Sequence, residues 1–94
     1  VVAFNYSQVP DKYRTLEAAM SGKKPSKNSE PDGLIHELHS ITDQLGIKPG
    51  LSSMGVKEDD IKYLSENAYQ DPCLATNPRP ATIEDIERLY HGAL

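Results

Sequence analysis

Apolar side chains recur at three- and four-residue spacing in four stretches of the chain, and each stretch is bounded by helix start and stop signals. The first follows "SQVPD": Tyr13, Leu16, Ala19 and Met20 share a face. Pro10 suits the first helical position, where its missing N–H would have had no partner. Ser21 and Gly22 end it. The second has the clearest grammar. Ser29 as cap, Pro31 at the start and Asp32 in the first turn approximate a capping box, with Leu34, Ile35, Leu38, Ile41, Thr42 and Leu45 in one stripe. Gly46 supplies the left-handed stop. The third runs over residues 58–70, with Glu58, Asp59 and Asp60 at its positive end and Ile61, Leu64 and Ala68 facing inward. The fourth starts at the capping box Thr82–Asp85 and buries Ile83, Ile86, Leu89, Tyr90 and Ala93.

The connections are short and polar. "KKPSKN", residues 23–28, carries three lysines and reads as a solvated link rather than an anion site. "IKPGLSSMG" turns through Pro49 and Gly50, and Ile47, Leu51, Met54 and Val56 are expected to tuck it against the core. No stretch predicts a strand. The expected fold class is therefore all-α, a helical bundle of about four helices.

Composition narrows the class further. The chain has 94 residues, 37% of them hydrophobic, with no tryptophan and one phenylalanine. That is globular but lean in apolar content for a self-sufficient domain. A formal charge of −4 argues against a nucleic-acid partner. No apolar run approaches the ~20 residues that span a bilayer. One cysteine excludes an internal disulfide and suits a reducing cytoplasm. The opening "VVAFNY" resembles the tail of an apolar helix, so the chain is expected to be a piece of something longer.

Candidate chemistry is sparse. His36 and His39 stand three apart on the second helix, but "HELH" is not the zinc-binding HExxH pattern, and both positions point to solvent or a polar seam. His91 suits the end of the fourth helix. The most unusual segment is "DPCLATNPRP", residues 71–80, with three prolines and the only cysteine in ten residues. Asp71, Asn77 and Arg79 each precede a proline and are pushed toward extended backbone. A stiff loop of small side chains serves equally as a brace or as the wall of a ligand cleft. Cys73 lacks a neighbouring base in sequence that would make it a nucleophile. No catalytic residue and no metal ligand is assigned.

The run Asp71-x-Cys73-x-x-Thr76-Asn77-Pro78-Arg79, followed by "ATIEDI" and then Leu89-Tyr90, resembles the carboxyl end of the iron-dependent (group III) alcohol dehydrogenases. That group includes lactaldehyde reductase-like and 1,3-propanediol dehydrogenase-like enzymes. "LGIKPGLSSMGVKEDDI" is similar to a family segment that precedes a helix, and "VVAFNYSQVPDKY" resembles the part just after the family's histidine-rich helix. The resemblance is weakest over residues 23–28.

The resemblance implies a two-domain parent, an α/β cofactor domain and a carboxyl-terminal helical domain of which this chain is the last portion. It implies hydride transfer between a small alcohol or aldehyde and NAD(P), with a divalent metal, usually iron, as Lewis acid. The family's metal ligands, an aspartate and three histidines, fall upstream of Val1. His36, His39 and His91 match none of them. This segment alone is thus expected to bind neither metal nor cofactor and to be inactive. Within it, Cys73 would line the substrate cleft, and Thr76, Asn77 and Arg79 would brace the loop nearby. The expected partners are the substrate and the rest of its own enzyme, a cytoplasmic homo-oligomer, with no nucleic acid and no membrane. Two rivals remain: a stand-alone helical interaction module, and a maleylacetate reductase-like enzyme of the same fold.

Overall fold

A computed structural model describes residues 1–24 and 30–94, and those residues are all-α, with no strand among them. The chain divides into two compact units, Val1–Ile47 and Lys48–Leu94. The first holds α1 (Val2–Asn5), α2 (Pro10–Ser21) and α3 (Pro31–Gln44). The second holds α4 (Ile61–Gln70) and α5 (Ile83–His91). Short 3₁₀ turns occupy Tyr6–Gln8, Leu51–Met54, Glu58–Asp60 and Pro72–Thr76.

In the first unit, α1 and α2 both pack on α3. Pro10 opens α2 at its first turn, as its fixed φ favours. Tyr6 stacks on Tyr13 with ring centroids 5.8 Å apart, which ties the turn before α2 to that helix. Leu34 is fully buried on α3. The expected cap Ser29 lies outside the described residues. Glu30 occupies the cap position, and its side chain makes no capping bond. Gly46 adopts φ 68°, and the amides of Gly46 and Ile47 donate to the carbonyls of Asp43 and Thr42 at 3.0 and 2.9 Å. This is the Schellman pairing that ends a helix on a left-handed glycine.

The second unit is built on the packing of α4 against α5, with Ile61, Ser65 and Ile86 buried. The expected single helix over residues 58–70 is two elements. The Asp60 carboxylate accepts from the Lys57 amide at 2.9 Å and closes a tight turn at Glu58–Asp60, which runs on into α4. The box at the start of α5 is complete. Thr82 Oγ1 accepts from the Asp85 amide at 3.2 Å, and the Asp85 carboxylate accepts from the Thr82 amide at 3.1 Å.

The connection over residues 47–56 differs from the expectation. Ile47 and Met54 are exposed, Met54 by 80%, and only Leu51 and Val56 are half-buried. Hydrogen bonds to backbone carbonyls hold this segment more than apolar packing does, and the Ser52 and Ser53 hydroxyls donate to the carbonyls of Leu94 and Gly50. The Leu51 amide donates to the Ala93 carbonyl at 2.7 Å, and Val56 donates to Leu51 at 3.2 Å. The Leu94 carbonyl lies so close to Gly50 that a Cβ there would stand 2.6 Å from it, at a φ of 83°. Ala93, expected on the buried face of α5, lies beyond the helix end and is exposed. The stripe of α3 is correct in spacing but broader than what is buried, because Leu38, Ile41 and Leu45 remain exposed.

Candidate functional site: the loop between α4 and α5

Asp71 ends α4 with extended backbone, φ −67° and ψ 125°, because Pro72 disfavours helix for the residue before it. Pro72 then opens the 3₁₀ turn Pro72–Thr76, and Asn77, again ahead of a proline, returns to extended backbone. A 3₁₀ turn has three residues per turn, so side chains three apart fall in one row. The rows are Pro72 with Ala75, Cys73 with Thr76, and Leu74 in line with the flanking Asp71 and Asn77.

Those rows decide what each side chain meets. An open groove of 430 Å³ runs beside the turn, lined by Tyr69, Asp71, Pro72, Leu74, Ala75, Asn77, Pro80 and Ala81. Two of the three rows face it. Cys73 and Thr76 form the third row, absent from that lining and exposed. The structure therefore places Cys73 and Thr76 on one face of the loop and Asn77 on another.

The loop is held from within. Asp71 accepts a hydrogen bond from the Cys73 amide at 2.7 Å. Thr76 Oγ1 donates to the Cys73 carbonyl at 2.8 Å. Asn77 Nδ2 donates to the Arg79 carbonyl across Pro78. Arg79 is half-buried, and its charge favours the ionised Asp85 at the start of α5.

Electrostatics follow from these bonds. The Cys73 amide, then its thiol, hold the Asp71 carboxyl below its ordinary 3.8. Reciprocally, hydrogen bonding to Asp71 and its negative charge raise the Cys73 thiol above 9.0. An exposed cysteine kept as a thiol is a poor nucleophile. At the far side of the loop, the Thr82 amide is the main cause that lowers Asp85, with Arg88 and Arg79 adding to it against partial burial. Glu84 is also lowered, first by a backbone hydrogen bond and then by Thr82.

The histidines stand elsewhere. His36 and His39 are exposed on α3. His91 Nδ1 lies 2.9 Å from Glu58 Oε1, a partner that sequence spacing did not reveal because it is 33 residues away. Among the described residues no three His, Cys, Asp or Glu side chains converge to hold a metal ion. No helix among them is long and apolar enough to cross a membrane.

The described residues are all-helical, with a proline-stiffened loop between α4 and α5. The chain belongs to the Fe-containing alcohol dehydrogenase family, C-terminal, whose pattern it matches over residues 1–94. It is 34% identical over 95 residues to a lactaldehyde reductase of Escherichia coli (strain K12), covering 99% of this chain and 25% of that protein. It is 44% identical over 60 residues to an NAD-dependent methanol dehydrogenase of Bacillus methanolicus, covering 64% of this chain and 16% of that protein. With a 1,3-propanediol dehydrogenase of Citrobacter freundii the identity is 28% over 96 residues, covering 99% of this chain and 24% of that protein. The chain thus spans at most a quarter of these relatives' length.

Proposed function

We propose that the chain is the carboxyl-terminal portion of the helical domain of a longer NAD(P)-dependent alcohol dehydrogenase, and that the loop over residues 71–80 forms one wall of its substrate cleft. The family match over the whole chain carries this assignment. The metal, iron in this family, and NAD(P) are assigned to the rest of the polypeptide, as the family membership suggests. The substrate is a small alcohol or aldehyde, as the names of the relatives suggest. The parent is a cytoplasmic homo-oligomer.

Within that wall, Cys73 is the residue that lines the substrate cleft. Cys73 acts through size and polarity, because Asp71 disfavours its thiolate. Thr76 fixes the Cys73 carbonyl, and Asn77 fixes that of Arg79, so both brace the turn. Arg79 braces it further through its attraction to Asp85 at the cap of α5.

In the intact dehydrogenase, Cys73→Ser should change the ranking of alcohols by kcat/KM while kcat on the best of them is retained. Loss of all hydride transfer with the metal still bound would refute a lining role and point to a chemical one. The 94-residue chain alone, supplied with iron, NAD and an alcohol, should produce no NADH. Turnover by that chain would overturn the assignment of metal and cofactor to the rest of the polypeptide.

A further inference from the structure

We propose that an apolar groove between the start of α1 and the middle of α3 is the seat of the polypeptide segment that immediately precedes Val1 in the parent enzyme. The proposal rests on the assignment of this chain to a longer dehydrogenase. The groove has a volume of 310 Å³. Val1 and Val2 form one wall, and Ile35, Leu38, His39 and Thr42 form the other. Its chemistry is that of a helix-packing surface. The Thr42 hydroxyl donates to the His39 carbonyl at 2.8 Å, so its one proton is already used. His39 is the one titratable side chain in the lining.

The groove opens onto a larger apolar face. Leu38, Ile41 and Leu45 are 37%, 43% and 70% exposed, on the stripe whose Leu34 is fully buried. Single exposed apolar residues need no explanation, but a helical stripe of them beside a groove marks an interaction surface. Three observations choose the occupant. The chain spans 25% of the lactaldehyde reductase it resembles and matches the family's C-terminal part, so the remaining polypeptide lies ahead of Val1. The wall at Val1 and Val2 is where that polypeptide joins. The groove is also small. It would take a few side chains, whereas a stable complex between separate proteins buries about 800 Å² on each partner. A covalently joined segment needs far less, because its effective concentration is set by the tether. The lining fits a few apolar side chains of that segment.

The test is photocross-linking in the intact polypeptide, with Leu38→p-benzoylphenylalanine and, separately, Ile41→p-benzoylphenylalanine. Circular dichroism confirms that each variant is folded, and the second position serves if the first is not. Mass spectrometry then maps the adducts. Adducts from both positions to peptides ahead of Val1 in the same polypeptide support the proposal. Adducts to a second copy, to residues 48–94 or to another protein overturn it, as does a folded variant that gives no adduct. The same digest separates two failures. If no peptide precedes Val1, the assignment to a longer enzyme falls as well. If such peptides exist and the adducts lie elsewhere, only the docking proposal falls.

Discussion

Cys73 and Asp71 show how a single side-chain contact sets reactivity. Cys73 is exposed, yet the Asp71 carboxylate bonds its amide at 2.7 Å and disfavours its thiolate. Asp71→Asn keeps an oxygen acceptor for the amide but removes the charge. The variant's Cys73 should therefore react faster with iodoacetamide at pH 8 than the native thiol, and an unchanged rate would show that Asp71 does not control it. The pH window of the turn follows with its sign. Asp71, depressed when folded, supports the turn above 3.8, and that support is lost as pH falls through its folded value. Cys73, raised when folded, supports it below 9.0, and that support is lost as pH rises through its folded value. Both groups are exposed, so the energies are small. Ser65 is the opposite case. It is 0% exposed on α4, and its hydroxyl has no hydrogen-bond partner among the described residues. A buried unpaired hydroxyl costs about 1 kcal/mol or more. Ser65→Ala should thus stabilise the fold by roughly 1 kcal/mol in urea denaturation. A loss of stability would mean that the hydroxyl is satisfied.

At the level of elements, the capped ends were the legible part. Pro10, Gly22, Gly46 and the Thr82–Asp85 box mark boundaries because each has a local backbone requirement that the sequence states directly. The Thr82 hydroxyl accepts from the Asp85 amide while the Thr82 amide donates to the Asp85 carboxylate, so Thr82→Ala removes one orphan donor's partner at α5. The expected cost is about 1 kcal/mol, read from the urea midpoint at unchanged slope. A shift below a tenth of that would show that Asp85 and Arg88 hold the helix start without the hydroxyl. The 3₁₀ turns were not legible. A turn of three to five residues is too short to show a period, and Leu51–Met54 is held by distant carbonyls at Ala93 and Leu94. The candidate site shares this limit. Sequence placed Cys73, Thr76, Asn77 and Arg79 on one stiff loop. Only the three-residue turn separates Cys73 and Thr76 from Asn77 and the groove. The partner of His91 was hidden for a related reason, since Glu58 is far away in sequence.

For the molecule as a whole, the lean composition has a structural counterpart. Among the described residues, three apolar side chains are buried, Leu34 in the first unit and Ile61 and Ile86 in the second. Leu16, Leu38, Ile41, Leu45, Ile47 and Met54 are exposed. Capping bonds and proline-set turns fix helices locally, but cooperative stability needs apolar area removed from water. The 94-residue chain should therefore show helical circular dichroism with a shallow urea transition. Its slope should lie at or below about 1 kcal/mol/M, the low end for small proteins, because the slope scales with the surface exposed on unfolding. Ile41→Asp in the isolated chain should change the midpoint little, since Ile41 is 43% exposed there. In the intact enzyme the same substitution should cost roughly 2–4 kcal/mol if the segment ahead of Val1 buries that face, as for a charge placed in a core. The contrast between the two backgrounds is the decisive quantity. A steep, two-state transition in the isolated chain, with Ile41→Asp equally costly in both, would show that the 94 residues already hold a complete core.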